Sequence, residues 1–280
     1  MKNVMECARL VADQVGELPP IPLVVMRSLE LLNDPSTTVK AIQKQITLDQ
    51  ALTAFILKIA NSALYGLRSE VSTVSYAINL MGFNTTRSIL MSYLARQCFQ
   101  SRGSKVIQQV LWKHSLASAV FGRLLAEKCA RVNGEEAFIA CLLHDIGKGV
   151  LLMNRPAELE EIIALHSAEE SAKKQLEIEY SRLGYSHVEL GFLLMKKWRF
   201  AESIIESEVF HHSSQEYTGD NLMIPLVSLA NKLSNRNEYC FFQVHDEIFE
   251  ISHLGISEEE LVKIEKNGLS MTRTYLEVLN

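Results

Sequence analysis

Leu142-Leu143-His144-Asp145-Ile146-Gly147-Lys148 is the stretch of this chain from which its fold and its chemistry can be worked out. An adjacent His-Asp pair at the end of an apolar helix directs an imidazole nitrogen and a carboxylate oxygen towards one centre. These two ligand types suit Zn, Mn or Fe better than they suit a serine nucleophile. Since the flanking residues are apolar, we expect the pair to be buried and to need polar partners. The stretch therefore favours a functional site, and the alternative is that Asp145 is a structural acceptor between two helices.

Further histidines surround this pair, each in or beside a helical stretch: His114, His187, His211 and His212. A glycine-containing turn at 133–134 separates the first of them from the pair, which is typical of a helical hairpin. Four helices can therefore direct imidazoles to one place, as metal-binding bundles do. A lone histidine is more often a hydrogen-bonded structural residue, and we interpret the others in that way: His166, His245 and His253.

The composition is that of an ordinary soluble globular protein. The 280 residues are 48% hydrophobic and 22% charged, enough for one large domain or two packed ones. A net charge of -5 provides no field that would attract nucleic acid or a membrane. We find no signal peptide and no stretch of membrane-spanning length, so we expect a cytoplasmic protein. The 5 cysteines show no CxxC spacing, and we expect reduced, mostly buried thiols.

Helical periodicity dominates the sequence, and no run alternates apolar and polar residues as a half-buried strand does. We therefore predict an all-α fold. Asp49 is expected to cap one helix and Gly82 to interrupt another. Ser257 and Glu260 have the spacing of a capping box at the start of the last helix.

The segment 101–104 is the clearest internal linker, because it is polar and contains glycine. It predicts an N-terminal helical lobe at residues 1–103 and a second lobe at residues 104–280. The second lobe carries all the candidate ligands and the C-terminal helices.

Several separate motifs resemble those of the HDOD domain, the HD-related output domain of bacteria. The stretch 142–148 is similar to the signature of the HD phosphohydrolase superfamily. The motifs that narrow the resemblance to the HDOD domain are Leu18-Pro19-Pro20-Ile21-Pro22, Asp49-Gln50-Ala51-Leu52-Thr53, Ala60-Asn61-Ser62-Ala63-Leu64-Tyr65-Gly66, Ala77-Ile78-Asn79-Leu80-Met81-Gly82-Phe83 and Gly184-Tyr185-Ser186-His187-Val188-Glu189-Leu190-Gly191. The resemblance runs from about residue 17 to residue 212. It implies an HD-domain, phosphodiesterase-like helical bundle with an added N-terminal helical lobe.

Catalytic HD enzymes use histidines, the His-Asp pair and a final aspartate as metal ligands. Carried over by position, the resemblance implies a divalent metal (Fe, Mn, Zn, Ni or Mg) held by His114, His144, Asp145, His187 and one or both of His211 and His212. Asn231 stands where the final aspartate is expected. A neutral amide is a weaker ligand than a carboxylate, so the site is degenerate: it can retain a metal while hydrolysis is lost. The segment after the His-His pair also lacks the Glu-Arg and Gly-Tyr-Pro elements of cyclic-di-GMP phosphodiesterases.

The resemblance implies a non-catalytic signal-transduction module that acts through protein–protein interaction. The alternative is a metal-dependent phosphohydrolase acting on a nucleotide or cyclic dinucleotide, and a third reading is a pocket that binds such a ligand only for regulation. In either of the latter two, Lys148 is a candidate phosphate ligand, with simple solvation as its other interpretation. The expected partners are signalling proteins, and a homodimer is compatible with the sequence. Asn61, Tyr65 and Arg68 are candidates for protein docking, because this irregular stretch carries polar and aromatic groups between two helices.

Overall fold

A computed structural model describes residues 2–12, 16–63, 65, 70–100, 103–166, 172–237, 239 and 250–279. Every regular element within these residues is a helix, and none of them is a strand, so the predicted all-α fold is confirmed. None of the helices in this part of the chain is long and apolar enough to cross a membrane. The four cysteines in it (Cys7, Cys98, Cys129 and Cys141) are free thiols, and all but Cys7 are buried.

The helices follow one another with short connections. In chain order they are α1 (Lys2–Val11), α2 (Leu23–Asn33), α3 (Val39–Ile46), α4 (Gln50–Ala60), α5 (Val74–Phe99), α6 (Lys105–Ala126), α7 (Gly134–Leu143), α8 (Ile146–Asn154), α9 (Pro156–His166), α10 (Ala172–Leu183), α11 (His187–Lys197), α12 (Glu202–Phe210), α13 (Met223–Arg236), α14 (Glu250–Leu254) and α15 (Glu258–Leu279). A single turn of 3₁₀ helix, Ser214–Glu216, lies between α12 and α13.

Two compact units make up the chain. The first unit comprises Met1–Pro19 and Ala95–Gly268, and the second unit comprises Pro20–Leu94 and Leu269–Asn280. Compactness of a unit does not show that it folds independently, so the predicted boundary near residue 103 stays a prediction.

The second unit shows how local sequence sets helix ends. The Thr38 hydroxyl accepts from the backbone N–H of Ala41 and caps α3. The Asp49 carboxylate accepts from the N–H of Leu52 and caps α4, as the sequence predicted. Within α5, Gly82 has φ 79° and ψ 170°, a conformation that costs a side-chain-bearing residue energy. α5 therefore consists of two helical parts that meet at a kink at Gly82, and the predicted interruption there is confirmed.

In the first unit, close helix packing brings the candidate ligands together. α8 packs on α11, α11 on α12, and α6 on α7 and α13. A side chain at Gly147 would collide with the backbone of His187, and one at Gly191 would collide with the carboxyl of Glu208. Because both positions are glycine, the helices approach closely enough for their ends to share one polar site.

Candidate metal centre

The candidate ligands lie mostly at helix ends. His144 follows the last residue of α7, and Asp145 precedes the first residue of α8. His187 is the first residue of α11, and His211 follows the last residue of α12. His114 alone lies inside a helix, α6. This placement at helix ends matches the expectation from the sequence.

A capping box explains why α11 begins at His187. The Ser186 hydroxyl accepts from the N–H of Val188 at 3.2 Å, while the Glu189 carboxylate accepts from the N–H of Ser186 at 2.9 Å. These two contacts satisfy backbone groups that the first helical turn leaves open. The local sequence therefore orients the first residue of α11 towards the site.

The Asp145 carboxylate lies at the centre of the cluster and has two distinct sides. On the Oδ2 side, the Nε2 atoms of His114 and His144 lie 3.4 and 3.5 Å away. These two Nε2 atoms are 3.1 Å from each other. The two histidines and Asp145 are buried, so this side is enclosed by protein.

On the Oδ1 side, His187 Nε2 lies 3.3 Å from the oxygen and His211 Nε2 lies 3.6 Å from it. His212 Nε2 is 3.2 Å from His187 Nε2. His187 and His211 are buried and His212 is half-buried. The structure thus brings the six histidine and aspartate side chains predicted from the sequence into one cluster.

Backbone carbonyls orient two of the imidazoles. His144 Nδ1 is 2.7 Å from the carbonyl oxygen of Cys141, and His211 Nδ1 contacts the carbonyl oxygen of Glu208. A carbonyl can only accept, so each Nδ1 carries the proton and donates it. In the neutral ring the Nε2 lone pair then faces the cluster, which is the tautomer that a metal ligand requires.

Side chains orient two more rings. His187 Nδ1 is 2.7 Å from a carboxylate oxygen of Glu179, which also accepts from the His187 N–H at 2.7 Å. His114 Nδ1 is 3.1 Å from the hydroxyl oxygen of Ser234. A carboxylate fixes the proton on Nδ1, whereas a hydroxyl can donate or accept and leaves the His114 tautomer open.

Burial keeps most of the rings neutral. It lowers the pKa of His114 to about 4 and the pKa values of His144 and His212 well below the usual value. Burial also lowers the pKa of His211. Neutral imidazoles bind metal ions, so the protonation state suits ligation at neutral pH.

The charged groups of the site are Asp145, Lys148 and the His187–Glu179 pair. Burial alone would raise the pKa of Asp145, but the Lys148 ammonium and the imidazoles hold it well below its usual range. Burial opposes protonation of His187, yet the Glu179 carboxylate outweighs it and raises the pKa of this ring. The cluster therefore contains an ionised carboxylate, with a second one behind one imidazole.

The donor set fits a divalent transition metal. Asp145 Oδ1 and His211 Nε2 are buried and have no hydrogen-bond partner within the described residues. An oxygen and a nitrogen that both present lone pairs to the same space are stabilised by a cation there. Imidazoles with one carboxylate suit Zn, Fe or Ni better than Mg.

Lys148 and Asn231 both lie on the Oδ2 side. Lys148 Nζ is 2.7 Å from Asp145 Oδ2, so its ammonium points into the cluster, which the sequence did not indicate. Asn231 is buried, accepts from Asn235 Nδ2 at 3.0 Å through its Oδ1, and lies close enough to His114 to influence the pKa of that ring. The residue that replaces the expected aspartate is therefore in contact with the cluster.

Sequence reasoning missed Glu179 and Ser234, which hold two of the rings. Glu179 lies on α10 and also accepts from Gln175 Nε2 at 2.9 Å. Its only local signal is a Gln-Glu pair four residues apart on a helix, which is also common on solvated faces. The signal was too weak to assign a role.

The predicted docking residues lie in the second unit. The amide of Asn61 donates to the carbonyl of Val71 at 2.8 Å and accepts from its N–H at 2.7 Å. Asn61 thus fixes the position of the backbone just before α5. The sequence did not indicate this structural role. Tyr65 is half-buried, and Arg68 lies outside the described residues. Their docking role stays a prediction.

Known proteins share both the sequence pattern and the fold of this chain. A model of the family described as HDOD domain matches residues 18–214. An uncharacterized protein from Treponema pallidum (strain Nichols) is 26% identical over 233 residues, which cover 80% of this chain and 43% of the relative. The chain thus spans less than half of that relative's length.

Solved structures share the fold. An HDOD domain protein of unknown function from Geobacter sulfurreducens superimposes with a TM-score of 0.77 at 24% identity, covering 99% of this chain and 96% of the other. A proposed phosphohydrolase from Shewanella amazonensis SB2B gives 0.76 at 21% identity, covering 96% and 98%. At these identities the likeness shows the fold alone.

Proposed function

The chain belongs to the HDOD domain family, and we propose that it is a regulatory module of bacterial signal transduction that acts by binding other proteins. Its His-Asp cluster holds a divalent metal ion and does not hydrolyse a substrate. When bound, the ion supplies a compact positive charge that ties several helix ends to one centre.

Burial of the cluster is the observation that carries this proposal. His144 and His187 are 0% exposed, and Asp145 is 1% exposed. A hydrolytic metal site keeps a ligand position open to water and to the substrate phosphate. Of the candidate ligands only His212 is half-buried and the others are buried, and this limited access for water and a phosphate supports a structural or regulatory site.

The charge of the site supports the same conclusion. Asn231 contributes no negative charge where catalytic HD enzymes have an aspartate, and within the described residues Asp145 is the only carboxylate that contacts the imidazole Nε2 atoms. Glu208 compensates poorly for the lost charge, because burial raises its pKa well above the usual range and so disfavours its charged form. With less anionic character, the site is poorly equipped to hold an ion while water is activated.

The second candidate function is a metal-dependent phosphohydrolase acting on a nucleotide or cyclic dinucleotide. It is favoured by the retained His114, His144 and Asp145, with Lys148 beside them as a phosphate ligand. The name of the Shewanella structure points to the same chemistry in that protein. In this case the ammonium would have to leave Asp145 to reach a substrate.

Metal analysis and a turnover panel separate the two functions. Protein purified without chelators or a histidine tag is analysed by elemental mass spectrometry. It is then incubated with cyclic dinucleotides and nucleotides in the presence of Mn²⁺ or Fe²⁺. We expect bound metal and no turnover. Turnover that disappears in His144→Ala would establish the phosphohydrolase instead.

Binding of partner proteins through Tyr65 is tested separately. We expect Tyr65→Ala to reduce capture of partner proteins from a native lysate. Tyr76→Ala is the matched control, because Tyr76 is an exposed tyrosine in the same unit. Thermal unfolding of both variants shows that they remain folded. Equal capture by both variants would remove Tyr65 from the docking surface.

A further inference from the structure

The two sides of Asp145 differ in the contacts that they make. On the Oδ2 side, Lys148 Nζ is 2.7 Å from the carboxylate, and the Nε2 atoms of His114 and His144 are 3.1 Å apart. Because the Ser234 hydroxyl can donate to His114 Nδ1, His114 can donate its Nε2–H to His144. The polar groups on this side therefore satisfy one another without a metal ion.

The Oδ1 side does not satisfy itself. Asp145 Oδ1 and His211 Nε2 have no hydrogen-bond partner within the residues that the structure describes. The His211 proton lies on Nδ1, which contacts the Glu208 carbonyl, so its Nε2 cannot donate to the carboxylate while the ring is neutral. A buried acceptor pair of this kind is costly unless a cation lies between the atoms.

The number and spacing of the ligands also favour the Oδ1 side. One group of candidate ligands is Asp145, His187, His211 and His212, and the other is His114, His144 and Asp145. Ligand atoms about 2.0–2.1 Å from a tetrahedral ion lie roughly 3.3 Å apart. His187 Nε2 lies 3.3 Å from Asp145 Oδ1 and 3.2 Å from His212 Nε2. Both groups have suitable spacing, but only the first supplies four ligands.

Charge separates the two sides further. Glu179 accepts from His187 Nδ1 at 2.7 Å, and a carboxylate behind a ligating imidazole makes that ring a better donor. On the other side the ammonium of Lys148 repels a second cation, and Asn231 adds no charge to oppose it. A divalent ion is therefore more stable beside Oδ1.

We propose that this chain binds a single divalent transition-metal ion, held by Asp145 Oδ1, His187, His211 and His212, and that Lys148 occupies the second cation position of the cluster. The inference rests on the proposed metal binding and specifies the number of ions and their position. His114 and His144 then serve as partners of the lysine–carboxylate pair, outside the coordination sphere.

Metal titration of the tag-free apoprotein tests the assignment. Zn²⁺ binding is followed by calorimetry, and Co²⁺ binding by the visible absorption that reports tetrahedral coordination. We expect one ion per chain. His187→Ala should weaken binding by more than about 100-fold, since losing a ligand exceeds the 10–100-fold effect of losing a supporting residue. His114→Ala removes a supporting contact of Asp145 on the Oδ2 side and not a ligand, so it should weaken binding by at most about 10-fold. His253→Ala, at an exposed position outside the cluster, is the control and should leave the affinity unchanged.

A variant that gains a second metal ion provides a test that a misfolded protein could not pass. The double variant Lys148→Met with Asn231→Asp removes the resident ammonium and restores a carboxylate, so it should bind two ions per chain. Two ions in the wild type, equal weakening by His114→Ala and His187→Ala, or a double variant that still binds one ion would each overturn the single-site assignment. Those results leave metal binding itself in place, whereas no binding by folded wild-type protein would overturn the proposed function as well.

Discussion

Asp145 and Glu250 are both buried carboxylates in the first unit, and each has a lysine ammonium at 2.7 Å. Their other neighbours differ. Glu250 Oε1 accepts from the hydroxyls of Ser214 and Ser228, each at 2.9 Å, in addition to Lys232. Ser214, Ser228 and Lys232 are all hydrogen-bond donors, which is the arrangement of a structural anchor.

Asp145 is surrounded by imidazole nitrogens instead, and the rings of His144 and His211 direct their Nε2 lone pairs towards the cluster. His144 and His211 donate from Nδ1 to carbonyls on their outer side, so they offer Asp145 no proton from Nε2 while neutral. The comparison teaches that burial and a lysine partner do not distinguish a functional carboxylate from a structural one. The distinction lies in whether the remaining neighbours donate protons or present lone pairs.

The largest effect is expected from Asp145→Asn, which removes a charge with almost no change of volume. Metal affinity should fall by more than about 100-fold, because a direct ligand counts for more than the 10–100-fold of a supporting group. Competition with a chelator of known affinity measures the change. Glu250→Gln should bind metal as the wild type does. An unchanged affinity in Asp145→Asn would place the metal elsewhere.

Glu250→Ala should have the largest effect on stability. It removes a buried acceptor of three hydrogen bonds, and breaking a buried ion pair costs about 3 kcal/mol. Urea unfolding of the apoprotein measures the loss. Glu258→Ala, at an exposed position of α15, serves as the control and should change stability by less than about 0.5 kcal/mol. Equal stability of the two variants would contradict the anchoring role of Glu250.

Glu179→Gln should produce a smaller change at the metal centre. The neutral amide supports His187 less well than the carboxylate does, so metal affinity should fall by about 10–100-fold. Glu177→Gln, at an exposed position on the same helix, should leave the affinity unchanged. If both variants bind equally well, the carboxylate behind His187 does not strengthen the site.

The smallest effect concerns acid stability. Burial would raise the pKa of Glu250, but Lys232, the backbone N–H of Glu250 and the Ser228 hydroxyl outweigh it and lower the pKa from its usual value. A lowered folded pKa adds stability above the unfolded pKa, and this stability is lost as pH falls from about 4.5 through the folded pKa. Unfolding free energy measured from pH 7 to pH 3 should therefore fall less steeply in Glu250→Gln. Parallel curves would contradict the linkage.

Local sequence accounted for much of the fold. The caps at Asp49 and at Ser257 with Glu260 form as predicted, since each depends on a side chain reaching a backbone group a few residues away. The break at Gly82 was also predicted, and the two helical parts of α5 meet there. These features need no long-range contact.

The supporting groups of the site could not be predicted, because their roles depend on packing. Glu179 reaches His187 only when α10 lies against the start of α11, and Ser234 reaches His114 across 120 residues of chain. The orientation of Lys148 could not be predicted either. The spacing of three residues places Lys148 near Asp145 on the helix, but only the buried position of the carboxylate explains why the ammonium points inward.

The sequence by itself determined the helices, their ends and the His-Asp residue types, because periodicity and capping act within a few residues. Tertiary structure alone decided that the two oxygens of Asp145 have different surroundings. That difference depends on the approach of α8 to α11, which the missing side chain of Gly147 permits, and on which atom each imidazole presents. Distances of a few ångströms between residues far apart in the chain are set by packing, and no local pattern records them.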